Sequence, residues 1–150
     1  MKAKREARIL ALQVLYEADT AQHQAGEVLQ RHLRDCAADP DNPANDVATR
    51  DYAIRLISGI VKNLAELDGF LAQCAPDFPV SNLSPIDRNI LRVAVYEMRA
   101  NLAPARVAIN EAVEIAKRYG SDTSPRFVNG ALGAAIARLP TQPTADEMMA

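Results

Sequence analysis

The stretch from Val107 to Leu132 constrains the fold more than any other part of the chain. Gly120 follows a first periodic run, at a position where glycine commonly takes the left-handed conformation that ends a helix. Ser124 and Pro125 then predict a second helix, because a hydroxyl caps free N–H groups and proline suits a first helical turn. Apolar residues recur at helical spacing on both sides of this break: Ile109, Ala112, Val113 and Ala116 before it, and Phe127, Val128, Ala131, Leu132, Ala135, Ile136 and Leu139 after it.

The same signals predict an all-α bundle of about seven helices with no strand. Alanine and leucine favour helix, and with only 5% aromatic residues and no Trp the core must be largely aliphatic. The run from Asp77 to Ser84 predicts a divide between two packed halves. The polar tail from Pro140 is predicted to be disordered, which leaves 1–139 as one folded domain. The first five predicted helices cover about 3–21, 26–37, 47–63, 66–75 and a segment that starts at Ser84–Pro85 and ends before Pro104.

Several classes of protein are disfavoured by what the sequence lacks. No apolar run approaches the roughly 20 residues that span a bilayer, and the charged N-terminus does not resemble a signal peptide, so we expect a cytoplasmic protein. Cys36 and Cys74 fit buried thiols better than a disulfide. His23 and His32 lack a partner at metal-ligand spacing, and no glycine-rich phosphate loop or nucleophile elbow is present. The sequence therefore predicts a noncatalytic protein without metal or cofactor.

The first eight residues are strongly basic. They hold Lys2, Lys4, Arg5 and Arg8 against Glu6, whereas the whole chain carries a net charge of −2. Because Lys4, Arg5 and Arg8 are three or four residues apart, the spacing predicts that they cluster on one side of the first helix. Positive charge at a helix N-terminus opposes the macrodipole by roughly 0.3–1 kcal/mol per residue. Either an anion such as nucleic-acid phosphate neutralises it, or the terminus is merely solvated and frayed.

Further along the first helix, two residues have two interpretations each. Tyr16 falls on the apolar side, where a core aromatic is slightly favoured over one that faces a ligand. Gln13, one turn earlier, either hydrogen-bonds a base edge or is a surface amide.

The loop at 121–125 and the helix after it form a second candidate site. Helix N-termini offer N–H groups to anions, and Arg126 adds positive charge. Phe127 is either a core anchor or a stacking platform for a base. Asn110 and Asn129 lie among apolar neighbours, which predicts buried amides that bond between helices.

The fifth helix predicts a different surface. Several charged residues and a tyrosine are expected to project away from its apolar stripe, a composition that suits a protein interface although a solvated face is the default. These residues are Asp87, Arg88, Arg92, Tyr96 and Glu97.

Four blocks of sequence, in one order, resemble the NusB family of transcription antitermination factors. They are Arg5–Arg8 with Ala11–Tyr16, Asp51–Tyr52 with Ile57–Ile60, Ile86–Arg92 with Tyr96–Glu97, and Ala108–Glu114 with Phe127–Gly130. Any single block is weak, but four in order over the length of one such domain make chance a poor explanation.

The resemblance implies a noncatalytic factor that binds boxA-like single-stranded RNA in nascent, chiefly ribosomal, transcripts. It implies NusE, a small ribosomal protein, as a partner, together with an antitermination complex on RNA polymerase. Because some members of the family self-associate, a homodimer is a further expectation. The implied RNA contacts are Lys2, Lys4, Arg5, Arg8, Gln13, Tyr16, Arg126 and Phe127. The implied NusE contacts are Asp87, Arg88, Arg92 and Tyr96.

Two other functions stay open from the residues alone. One is a helical protein–protein adaptor without RNA affinity. The other is an RNA-modifying enzyme, since NusB-like domains also occur fused to RNA methyltransferases. The enzyme is disfavoured because 150 residues leave no room for a second, cofactor-binding domain.

Overall fold

The computed structural model describes residues 2–77 and 79–139, except for the side chain of Lys2. Within them the protein has seven α-helices, two short 3₁₀ turns and no strand, which confirms the predicted all-α fold. The 3₁₀ turns lie at Pro43–Asn45 and Val80–Asn82. The helices are α1 (Lys2–Ala21), α2 (Ala25–Ala37), α3 (Val47–Lys62), α4 (Leu64–Cys74), α5 (Pro85–Arg99), α6 (Ala105–Tyr119) and α7 (Ser124–Arg138).

Local capping explains two of the helix starts. The Asp46 carboxylate accepts a hydrogen bond from the backbone N–H of Thr49 and begins α3. Ser84 does the same for the N–H of Asp87 at 3.1 Å, with Pro85 in the first turn of α5, so the predicted start of this helix is confirmed. Helix α4 begins two residues earlier than the sequence predicts, directly after α3, with Asn63 between them.

Helix α5 is the centre of the bundle. It packs against α1, α3, α4, α6 and α7, while α1 also packs on α2 and α3, and α6 pairs with α7. One cluster of buried apolar side chains includes members of all seven helices, so the segment from Asp77 to Ser84 connects two parts of a shared core. The predicted disorder of the tail falls on 140–150, which lies outside the described residues.

Candidate functional site

Helix α1 leaves one face open to solvent. Arg5 and Tyr16 point in nearly the same direction because eleven residues are close to three whole turns, and Gln13 lies roughly 60–80° to one side of them. Gln13 is exposed, and Tyr16 has 39% of its surface accessible. The slightly favoured prediction of a core position for Tyr16 is therefore wrong. These three exposed residues, which we call the α1 face, present a cation, an amide and an aromatic ring on a helix whose other positions from 7 to 15 are buried.

Arg8 is not on the α1 face. Only 2% of its surface is exposed, and its Nε and Nη2 atoms each donate to the Glu97 carboxylate at 2.8 Å. The Tyr52 hydroxyl donates to the same carboxylate. The prediction that Arg8 clusters with Lys4 and Arg5 at the surface is wrong, because a helix that packs against α3 and α5 turns this position into the core.

Burial and charge act together on this buried group. Burial is the largest single influence and lowers the pKa of Arg8, but the hydrogen bond to Glu97 and the attraction of Glu97, Tyr52 and Glu111 together outweigh it and leave the pKa raised. Burial and the hydrogen bond to the Glu97 carboxylate raise the pKa of Tyr52. Arg8 and Glu97 are therefore a charged pair that stabilises the core and not groups available to a ligand.

Arg5 is half exposed but paired. Its Nε and Nη2 donate to the two carboxylate oxygens of Glu111 on α6, at 2.8 and 2.9 Å. The hydrogen bond from Arg5 lowers the pKa of Glu111, against an opposing effect of burial. Lys4 is exposed, with its Nζ 5.3 Å from the centre of the Tyr52 ring. The predicted contact by Lys2 cannot be placed, because its side chain lies outside the described residues.

The loop before α7 is closed by its own serines. Ser124 does not cap α7 as predicted: it is buried, and its Oγ accepts a hydrogen bond from the Ser121 N–H at 2.9 Å. Gly120 is extended, with φ −91° and ψ −171°, so the predicted left-handed cap is wrong. Glycine fits here for another reason, since a Cβ would lie 2.5 Å from the Ser124 Oγ and 2.9 Å from the Ala116 carbonyl oxygen.

The start of α7 presents one clear cation. Arg126 is exposed, whereas Phe127 is half buried and packs against the core, so both interpretations of its ring keep some support. Asn110 and Asn129 are exposed, and the prediction of buried amides is wrong. Helices α1 and α7 both pack on α5.

The charges of α5 are mostly internal. Arg92 is 7% exposed and donates to both oxygens of Asp68 and, through Nη1, to Asp19 at 3.2 Å. Arg88 donates to Asp19 at 2.8 Å and to the carbonyl oxygens of 80, 81 and 83. The prediction that Arg88, Arg92 and Glu97 project outward is wrong, because five neighbouring helices leave α5 almost no solvent face.

Two residues of the predicted protein-binding surface remain at the edge of α5. Asp87 is half buried, and its Oδ1 atom is buried without a hydrogen-bond partner in the described part of the protein. Tyr96 is half buried and lies against α3 at Gly59, where an added Cβ would fall 1.9 Å from the Tyr96 hydroxyl. The Asp87 carboxylate is therefore an acceptor with unused capacity.

Sequence reasoning missed Glu111 and Asp19. Glu111 accepts hydrogen bonds from Arg5. Asp19 on α1 accepts hydrogen bonds from Arg88, Asn89 and Arg92 of α5. The available signal for Glu111 was its place between Ala108 and Ala112 on the apolar side of α6, where an acid needs a partner.

Two kinds of site find no support in residues 2–77 and 79–139. No group of three or more His, Cys, Asp or Glu side chains is arranged to hold a metal ion. Nor is any helix there long and apolar enough to cross a membrane. Cys36 and Cys74 are free thiols, as the sequence predicts.

Comparison with known proteins points to one family. The sequence model of the NusB family matches residues 5–137. A transcription antitermination protein NusB from Dehalococcoides mccartyi is 44% identical over 131 residues, which are 87% of each chain. The solved structure of T. maritima NusB is 29% identical with a TM-score of 0.77, covering 98% of this chain and 97% of that one. A structure of antitermination factors NusB and NusE in complex with dsRNA is 26% identical with a TM-score of 0.77, covering 92% and 98%.

Proposed function

Because the chain belongs to the NusB family of noncatalytic transcription antitermination factors, we propose that it binds boxA-like single-stranded RNA in nascent transcripts, chiefly ribosomal ones, together with NusE. RNA held in this way helps to keep a processive antitermination complex on RNA polymerase. The solved complex of a related NusB with NusE and dsRNA supports both kinds of partner.

The α1 face is the proposed RNA surface, and Tyr16 is the observation that carries it. The residues around Tyr16 in sequence, Leu12 and Leu15, are buried, yet Tyr16 itself stays 39% exposed. Aromatic rings stack on bases of any sequence, amides read base edges, and arginine binds phosphate. Arg5, Gln13 and Tyr16 supply one of each.

Additional contacts extend this surface. Lys4 and Arg126 are exposed cations able to reach phosphates, and Phe127 contributes the edge of a half-buried ring. Few cations are involved, so binding by the protein alone should be weak and sensitive to salt.

Replacing Tyr16 by Ala tests the RNA surface. Losing one stacked base should weaken binding of a labelled boxA-like RNA by about 1–3 kcal/mol, with little change in salt dependence, since no phosphate contact is lost. Tyr119, half buried at the end of α6, offers a control of the same residue type. Equal affinity of wild type and Tyr16→Ala would refute this surface, and no RNA binding at all would favour the adaptor without RNA affinity.

The N-terminal end of α5 is the proposed NusE surface, and Asp87 is its main residue. A buried carboxylate oxygen without a donor is costly unless a partner supplies one. Arg88, Arg92 and Tyr96 act there by holding this edge of the bundle in place, because their side chains are paired or packed internally.

Asp87→Lys tests this second surface. A cation where the partner's donor should lie is expected to weaken NusE binding by at least about tenfold, roughly 1.4 kcal/mol. RNA affinity of the isolated protein should stay near wild type. Calorimetry that showed undiminished NusE affinity would exclude the surface, and Asp122→Lys, an exposed acid before α7, serves as the charge control.

Binding of the two partners should also be coupled. NusE that extends the RNA-contacting surface would raise RNA affinity, and RNA must then raise NusE affinity by the same factor. Identical RNA dissociation constants with and without saturating NusE would show that this chain binds RNA unaided.

A further inference from the structure

Four charged side chains alternate in sign from the core to the α1 face. Glu97 is 1% exposed, Arg8 2%, Glu111 10% and Arg5 51% by side-chain surface. Arg8 is bidentate to Glu97 and lies 3.9 Å from Glu111 through Nη1, while Arg5 is bidentate to Glu111. Only the outermost member, Arg5, keeps an open side.

The ion pair with Glu111 uses one edge of the Arg5 guanidinium and leaves a second edge for another ligand. Glu111 accepts from Nε and Nη2, at 2.8 and 2.9 Å. No described residue forms a hydrogen bond with Nη1 of Arg5. The Nη1–Nη2 edge is one of the two edges of a guanidinium that match two oxygens of a phosphate.

We propose that Glu111 is a positioning residue for RNA binding: it holds Arg5 by the Nε–Nη2 edge so that the adjacent Nη1–Nη2 edge is presented to a phosphate of single-stranded RNA. This inference rests on the proposed function of the α1 face. An arginine fixed before binding loses less side-chain freedom when the phosphate arrives. Glu111 is itself fixed, since it is buried on α6 and attracted to Arg8.

A positioning role for Glu111 predicts the opposite of what simple electrostatics predicts. Glu111→Gln removes a negative charge near the RNA, which by Coulomb attraction alone should strengthen binding. A glutamine has only one acceptor oxygen and cannot hold Nε and Nη2 together. If positioning dominates, Glu111→Gln must weaken RNA binding.

A titration of labelled single-stranded boxA-like RNA with the full chain decides whether Glu111 positions Arg5 or only repels the RNA. Arg5→Ala should weaken binding by about tenfold and Glu111→Gln by about fivefold. The double variant should match Arg5→Ala alone, because Glu111 acts through Arg5. Both single variants should reduce the slope of log affinity against log salt by roughly 0.7, the value for one single-strand phosphate contact.

Glu114→Gln is the matched control. It makes the same charge change on the same helix, but Glu114 is 54% exposed and pairs only with Lys117 in the described part of the protein. Its RNA affinity should equal or slightly exceed that of wild type. A loss equal to that of Glu111→Gln would overturn the proposal.

Other results also overturn it. Stronger binding by Glu111→Gln would show that Glu111 only repels RNA, and an equal loss in the Arg5→Ala background would show an effect through folding. If Arg5→Ala changes nothing, the proposed RNA role of Arg5 fails as well; if it weakens binding while Glu111→Gln does not, only the positioning role fails.

If Glu111→Gln does not fold, Arg5→Lys tests the same proposal, because it asks whether the guanidinium edges are needed. Lysine retains the charge but has no guanidinium edges, so binding should fall nearly as far as in Arg5→Ala. Wild-type affinity in Arg5→Lys would show that charge alone suffices and would overturn the proposal.

Discussion

The starts of α1 and α5 carry similar charged patterns but form different surfaces. Each has arginines three or four residues apart, and each sends one of them into the core, Arg8 at 2% and Arg92 at 7% exposure. Helix α1 packs mainly on α2, α3 and α5, meets α6 through Glu111, and keeps Arg5 and Tyr16 exposed, whereas α5 packs on five helices and keeps little more than Asp87 at its edge. The number of neighbours, and not the charge pattern, decides what a helix presents.

The difference also concerns what each region can bind. The α1 face, which is the proposed RNA surface, offers a cation, an amide and an aromatic ring. Among the described residues, the start of α5 holds one unpaired acceptor, Asp87, next to the residues that Asp19 of α1 binds. Such a point contact suits a folded protein partner.

The largest expected effect is on the free energy of unfolding, and it distinguishes Arg8 from Arg5 on α1. Arg8→Ala leaves the Glu97 carboxylate buried without its cation and should lower the free energy of unfolding by about 3–5 kcal/mol. Arg5→Ala should cost less in urea unfolding, at most about half as much, because Arg5 is half exposed and Arg8 Nη1 remains 3.9 Å from the Glu111 carboxylate that loses its partner. Similar midpoints for the two variants would contradict the assignment of Arg8 to the core.

The same experiment has an internal control. Replacing both members of the buried pair, with Arg8→Met and Glu97→Met, should recover part of the loss, because no charge is then left unpaired.

A smaller effect is expected for the buried arginine of α5. Arg92→Met removes the cation between Asp68 and Asp19, whose side chains are 29% and 22% exposed, so partial solvation should limit the loss to about 2 kcal/mol. Arg99→Met breaks a more exposed pair with Glu66 and should cost less than about 1 kcal/mol. Equal losses would mean that burial does not distinguish these two arginines of α5.

The smallest expected effect is on the pH dependence of stability, and it comes from the Asp19 carboxylate, which joins α1 to α5. Burial raises the pKa of Asp19, but hydrogen bonds from Arg88 and Asn89 outweigh it, so the pKa lies below its ordinary value of 3.8. A lowered pKa means that the stabilisation is present above the ordinary value and is lost as the pH falls through the folded-state value. Asp19→Asn should therefore flatten the decline in stability between about pH 5 and pH 2. Parallel curves for the two proteins would rule out this contribution.

Local sequence signals determined the helices and the family. The Ser84–Pro85 start of α5, the breaks between helices and the apolar periodicity all act over a few residues, so seven helices follow from the chain alone. The order of four blocks identified the NusB family, which the family match over 5–137 confirms.

Only the tertiary structure decided which charges are exposed. Arg8 meets Glu97 across 89 positions of sequence, and Arg5 meets Glu111 across 106, distances at which no local pattern gives information. The spacing of Lys4, Arg5 and Arg8 fits two arrangements. All three can lie on one basic surface, or Arg8 can pair with an acid in the core while Lys4 and Arg5 stay at the surface. The choice between these depends on where α3, α5 and α6 pack, because a buried arginine is tolerable only where an acid from another helix meets it.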